Sequence, residues 1–278
     1  MVTPILAGLI KRFQLLNLDV VVGAILNSIF FAVCLRSKIT WFTILVLAIT
    51  VWIIYTGDRL LDTRKSVPVP ETSRHKFHGK NRKGLIFTIV VLMVVVVVVL
   101  PLLPLATVAY GVGLVLVVLC YFTFLMLLKP SMFLKEPVIA VLYTCGVALP
   151  AVSLGVLGGN AIFILLQHTT MAFLNLLLIS YYEADIDARS GHYSLAVGLG
   201  AKGVEKLLCT VLWILLISMV GYLILYPGKF SFLIQSTFLS MWIVFFLIKS
   251  FTSYFSRNDR YRTWADMAFW IPGWIIWV

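Results

Sequence analysis

From Val90 to Leu100 the chain is an unbroken run of Val, Leu and Met, with no charged or polar side chain in it. A helix needs roughly 20 mostly apolar residues to cross a hydrocarbon core, and runs of about that length recur along the whole sequence. They lie near 15–35, 39–57, 84–104, 105–128, 136–157, 161–182, 205–226, 231–249 and 263–278. The last is short enough to lie in the interface, so eight or nine spans are expected. A transmembrane β-barrel would instead show short segments of alternating polarity, which the 90–100 run excludes. Valine favours strands in water, but in lipid each segment must satisfy its own backbone hydrogen bonds, and that demand overrides the propensity. Composition agrees: 62% of residues are hydrophobic and 12% charged, whereas soluble domains run about half apolar and about a quarter charged. The expected fold is an all-α polytopic membrane protein, a single transmembrane domain over 1–278. A basic loop is expected over 58–83 after span 2 and a second loop over 183–204 after span 6.

The net charge of +11 raises nucleic acid as a partner, but in a membrane protein the side on which the cations lie comes first. With the N-terminus in the cytoplasm and nine spans, 19 of the 22 basic residues fall on the inner side; Arg36, Lys38 and Lys229 are the outer ones. The charge therefore reports topology, with attraction to anionic head groups or a polyanionic substrate, and no nucleic acid is implied. Cys34, Cys120, Cys145 and Cys209 fall within spans without CxxC spacing and read as apolar packing residues. Ile5 to Ile10 precedes Lys11 and Arg12 and is too short for the apolar region of a signal peptide.

Five of the eleven acidic residues occupy two short windows. The first ends span 2 and reads Ile53-Ile54-Tyr55-Thr56-Gly57-Asp58-Arg59-Leu60-Leu61-Asp62. The second ends span 6 and reads Ser180-Tyr181-Tyr182-Glu183-Ala184-Asp185-Ile186-Asp187-Ala188-Arg189. Asp58 and Asp62 are four apart, as are Glu183 and Asp187, so each pair stands on one helix face about one turn apart. Like charges at this spacing repel and pay for desolvation near lipid, unless something positive sits between them. Mg²⁺ takes oxygen ligands and bridges one or two carboxylates to substrate phosphates, so two facing ladders make a metal-diphosphate site. Asp185 points away from the Glu183–Asp187 face of an ideal helix, leaving ligation and a solvated role both open. Helix ends also carry charges simply where the chain meets water; what speaks against that here is the repetition of the ladder four spans apart, on one membrane side.

Basic residues flank these acids. Arg59, Arg64, Lys129 and Lys135 are the candidates for binding a diphosphate by nearness to span ends, and Arg189 closes the second window. His75 and His78 lack an acidic or Cys partner at ligand spacing and read as loop residues.

The two windows resemble the UbiA superfamily of intramembrane prenyltransferases. The run Glu183-Ala-Asp-Ile-Asp187-Ala-Arg-Ser-Gly191-His-Tyr-Ser194-Leu195, followed by Gly198 and Gly200, is similar to that family's acid-x-x-x-Asp-x-x-x-Gly-x-x-Thr-Leu pattern. The resemblance implies a bundle of eight or nine helices. It further implies that Asp58, Asp62, Glu183, Asp187 and also Asp185 are candidates to bind Mg²⁺, with an isoprenyl diphosphate as substrate. Where the family's first motif opens with Asn, four residues before its first Asp, this chain has Ile54; Tyr55 or Asn175 is the candidate replacement. Asn175 lies two turns before Glu183 on the same helical stripe. The family's Tyr-x-x-x-Lys element keeps Lys129, but Leu125 stands at the tyrosine position and Pro130 follows.

Ionisation of such a substrate yields an allylic cation, which the aromatic faces of Tyr55, Tyr121, Tyr181 and Tyr182 are placed to stabilise; an interfacial aromatic belt accounts for the same residues. Capture by an external acceptor makes a prenyltransferase, and capture by the substrate's own double bonds a terpene cyclase. An ion-coupled transporter and a non-catalytic homologue are the readings from other classes. A transporter places its acids near the bilayer midplane, whereas these sit at one face beside a basic loop.

Overall fold

The computed structural model describes residues 12–62, 73–128, 135–190 and 194–277, and among these it is helical without a strand. Helices α1 (Leu18–Cys34) and α2 (Trp41–Asp62) form a hairpin, and a short α3 (Ser73–Lys80) leads into α4 (Arg82–Val99). A 3-10 turn over Leu100–Leu102 joins α4 to α5 (Leu105–Leu128). Then come α6 (Lys135–Val152), α7 (Gly159–Ser190), α8 (Leu195–Leu225) and α9 (Lys229–Ser250). A single turn, Thr252–Phe255, precedes α10 (Arg260–Ala268) and a 3-10 segment, Ile271–Trp277.

Among the described residues, six stretches are long and apolar enough to cross a membrane: Trp41–Leu61, Arg82–Leu102, Lys135–Val152, Gly159–Arg189, Leu195–Leu225 and Lys229–Ser250. Leu18–Cys34 and Leu105–Tyr121 are shorter apolar helices. The protein is an integral, multi-pass membrane protein. The run expected over 263–278 forms no ninth spanning helix. Its nine-residue α10 rises about 14 Å, roughly half a hydrocarbon core, and Pro272 and Gly273 follow.

Neither expected loop is plain loop. The first acidic window stays helical to Asp62, and α3 occupies 73–80 with His78 buried on it, not lying in a loop. The second window is helical to Ser190, and α8 resumes at Leu195. Gly200, at φ 70° and ψ 168°, kinks α8 one turn in, a backbone conformation that only glycine adopts freely.

At the centre of the bundle α7 packs between α6 and α8, while α1 lies on α6 and α2. Phe30 of α1 meets Phe238 of α9 edge-to-face at 5.6 Å, and Phe31 meets the His168 ring at 5.0 Å. On α4 only Leu85 and Val99 are buried; its other valines are exposed or half-buried, and lipid tails are as apolar as they are. Cys120 and Cys145 are likewise exposed, not packed in the core.

Buried polar groups in such a bundle must find partners, and here they set the helix register. His168 of α7 bonds through Nδ1 to Thr144 of α6 and through Nε2 to Asn27 of α1, both at 2.9 Å. Gln167 of α7 exchanges hydrogen bonds with Gln235 of α9 and donates to Ser218 of α8. Asn27 also donates to the carbonyl of Phe269, and Trp270 Nε1 donates to the carbonyl of Asp19, each at 2.8 Å. These bonds fold the C-terminal segment back onto α1. Gly273 permits the approach: a Cβ there would lie 2.7 Å from a Leu26 methyl.

Candidate functional site

The first window lies on the final turns of α2, where Leu60 is buried and Asp58 exposed. Asp62 ends the helix, and its side chain lies outside the described residues. Tyr55 packs against the core two residues before the glycine of the window. The charged groups within electrostatic reach of its hydroxyl are Asp266, Arg59, Asp58 and Asp19. Asp19 is 2% exposed in the first turn of α1 and accepts the Val20 N–H at 3.1 Å.

On α7 the helical period sorts the second window: Glu183 and Asp187 are half-buried, while Asp185 and Arg189 are exposed. Glu183 Oε1 accepts two hydrogen bonds from α10, from Tyr261 Oη at 2.7 Å and from Arg262 Nη2 at 2.6 Å. The Arg262 and Glu183 side chains keep 15% and 22% of their exposure, so the pair is screened by little water. The Tyr261 ring stacks on Tyr182 at 4.4 Å and 1°, and Tyr182 Oη donates to the Ile248 carbonyl at 2.6 Å. Burial first, and then the Glu183 carboxylate, push the Tyr261 phenol well above its ordinary range. Burial works against the Arg262 charge, but the attraction of Glu183 outweighs it and the guanidinium holds its proton more firmly than usual.

Asp266, one turn beyond Arg262, joins the two windows. It acts electrostatically on Arg262 beside Glu183 and on Tyr55 beside Asp58. One residue of the C-terminal segment therefore lies within electrostatic reach of a neighbour of Asp58 and of the partner of Glu183. Tyr143 of α6 lies within reach of both Tyr55 and Asp266, and its ring stacks on His168 at 5.9 Å and 16°.

Two buried amide oxygens here have no partner among the described residues. One is Asn175 Oδ1, on the α7 stripe leading to Glu183. The other is Oδ1 of Asn17, a residue 1% exposed in the left-handed conformation at φ 57°, whose Nδ2 lies 3.5 Å from Thr56 of the first window. Glu136, at the start of α6, accepts the Leu195 N–H at 2.8 Å, and Ser180 Oγ accepts the N–H of Ala196 at 3.1 Å. A buried carboxylate thus occupies the N-terminus of α8, where an anion is favoured. Tyr121, near the end of α5, lies within reach of that same carboxylate.

No protein-family model and no curated protein matches the chain. Among solved structures it is similar to a UbiA homologue from Archaeoglobus fulgidus bound to DMAPP and Mg2+, with a TM-score of 0.64 at 11% identity. The likeness covers 96% of this chain and 99% of that one. The chain has the UbiA fold.

The acids of the two windows and the amides of Asn175 and Asn17 offer carboxylate and amide oxygen, the hard chemistry that suits Mg²⁺. Among the described residues no three His, Cys, Asp or Glu side chains form a closed metal cage. Mg²⁺ asks for less than a cage, since it keeps waters and takes one or two carboxylates together with substrate phosphates. The residues present fit that ion. Of the cations singled out in the sequence, Arg59 is half-buried beside Tyr55, whereas Lys135 and Arg189 are exposed at helix ends. Arg64 and Lys129 lie outside the described residues. Tyr181 meets the edge of Tyr182 at 5.5 Å, and Tyr182 is committed to holding α10.

Sequence reasoning missed Tyr261, Arg262, Asp266, Asn17, Tyr143 and Glu136. One signal was available: Asp266 is an ionisable residue inside the apolar run expected over 263–278, and an acid in an expected span is a reason to look for a functional role.

Proposed function

We propose that this protein is a Mg²⁺-dependent intramembrane enzyme that ionises an allylic isoprenyl diphosphate and transfers the prenyl group to an acceptor. The observation that carries the reading is that, in a UbiA fold, each acidic window ends a helix and one residue, Asp266, lies within electrostatic reach of both Tyr55 beside Asp58 and Arg262 beside Glu183. The UbiA homologue of similar fold is bound to DMAPP, an allylic diphosphate, and to Mg2+.

In this reading Asp58, Asp62, Glu183 and Asp187 hold the metal, and Asp185, exposed on the far side of α7, stays solvated. Bound Mg²⁺ supplies Lewis-acid withdrawal of charge from the departing diphosphate. Arg59, Arg64, Lys129, Lys135 and Arg189 add positive charge around the released diphosphate. In this reading Tyr55 and Tyr143, with Tyr121 and Tyr181, present the aromatic faces that stabilise a developing allylic cation. The amide of Asn175 orients the polar head, and the helices keep water from the isoprenoid tail. The windows face the cytoplasm, on the side that carries most of the lysine and arginine. Carboxylates that end two helices suit this chemistry better than ion-coupled transport.

The test incubates purified protein with Mg²⁺ and allylic diphosphates of graded chain length, in a membrane extract that supplies acceptors and without it, and measures diphosphate release. Release is expected with Mg²⁺ and is expected to stop on adding EDTA. Absence of Mg²⁺-dependent release at every chain length would overturn the reading, and products without any acceptor fragment would replace transfer by cyclisation.

A further inference from the structure

We infer that Arg262 is an exchangeable counter-ion of the site. It neutralises Glu183 while the site is empty, and turns to the substrate's diphosphate once a metal ion takes Glu183. This rests on the reading of the site as a Mg²⁺-diphosphate site.

Glu183 Oε1 is already engaged by two donors, Tyr261 Oη at 2.7 Å and Arg262 Nη2 at 2.6 Å. While both bonds stand, that oxygen is closed to a metal. Removing Arg262 without replacement would strand a partly buried carboxylate, which is costly; a divalent cation taking its place keeps the charge balanced. The released guanidinium keeps an acid near it, because Asp266, one turn along α10, lies within its electrostatic reach. Its planar fork of donors matches a pair of phosphate oxygens. The backbone of α10 stays fixed, held by the Tyr261–Tyr182 stack and, just beyond the helix, by the bond from Trp270 to the Asp19 carbonyl. The exchange is therefore a side-chain rotation.

If Arg262 only anchored α10, its loss would weaken every ligand together. Exchange gives opposite signs. In the purified full chain, Arg262→Gln is expected to bind Mg²⁺ alone about tenfold tighter and inorganic diphosphate, at saturating Mg²⁺, about tenfold weaker, as one charge-assisted contact supplies. Titration calorimetry reads both, and Arg262→Lys should restore part of the diphosphate affinity. Tyr261→Phe, which keeps the ring stack, is expected to tighten Mg²⁺ a few-fold and leave diphosphate binding unchanged, and serves if Arg262→Gln fails to fold. Mg²⁺ binding no tighter in either variant, or diphosphate binding undiminished in Arg262→Gln, overturns the exchange. A wild-type protein that binds neither Mg²⁺ nor diphosphate overturns the underlying site as well.

Discussion

Asn27 on α1 donates a 2.8 Å hydrogen bond to the carbonyl of Phe269, 242 residues further along the chain. The same amide group presents Oδ1 to His168, so one side chain ties the C-terminal segment, α1 and α7 together. Asn27→Ala leaves the Phe269 carbonyl and a His168 ring nitrogen buried without partners, and is expected to cost about 1–3 kcal/mol. Hydrogen exchange is expected to rise over 260–277 and Tm in detergent to fall. Unchanged protection of that segment would show that other contacts suffice to dock it.

Asp58→Asn and Asp187→Asn each remove a charge from the two ladders. Diphosphate release is expected to fall by about 10²-fold or more, as for other losses of groups acting on transition-state charge. Asp185→Asn is the contrast: two residues from Glu183 and from Asp187, it lies off their common helix face and is expected to keep release within about twofold of wild type. Equal losses in all three variants, read from kcat, would dissolve the distinction between the two faces.

Asn175 keeps a buried amide oxygen without a partner among the described residues, a costly arrangement unless a ligand uses it. Asn175→Leu is therefore expected to leave Tm unchanged or higher while raising KM for the allylic diphosphate. A fall in Tm with KM unaltered would make the residue structural.

Gly200→Ala meets no atom within 4 Å, so its cost comes from the backbone alone. At φ 70° and ψ 168° that cost is about 1–3 kcal/mol. Straightening the kink would also pull Leu195 from Glu136, so Tm and activity should fall together. A fully stable, active variant would show that the kink is tolerated by any residue.

The spanning helices were legible because lipid leaves an apolar run of that length little choice but helix, as the valines from Val90 to Val99 show. The acidic ladders were legible because acids are scarce in such a chain, so two pairs at the same spacing stand out. The split between half-buried Asp187 and exposed Asp185 follows from the helical period alone. Tyr261 and Arg262 were not legible: beside Arg257 and Arg260 they read as positive charge near a span end, and nothing local says that they reach Glu183, 78 and 79 residues back. Tyr182 was expected among the cation-stabilising aromatics, whereas its ring and hydroxyl are both spent on anchoring α10 and α9.

The sequence by itself determined that the chain is helical and crosses a membrane, and that two pairs of carboxylates end two of its helices, because these follow from local periodicity and the solvent the surface demands. Only the tertiary structure decided that Asp266 comes within electrostatic reach of both Tyr55 and Arg262, that Arg262 closes on Glu183, and that the last apolar run folds back on α1 without spanning. Those are pairings between distant segments, set by where buried donors such as Asn27 and Trp270 find acceptors, and such choices have no period for a sequence to display.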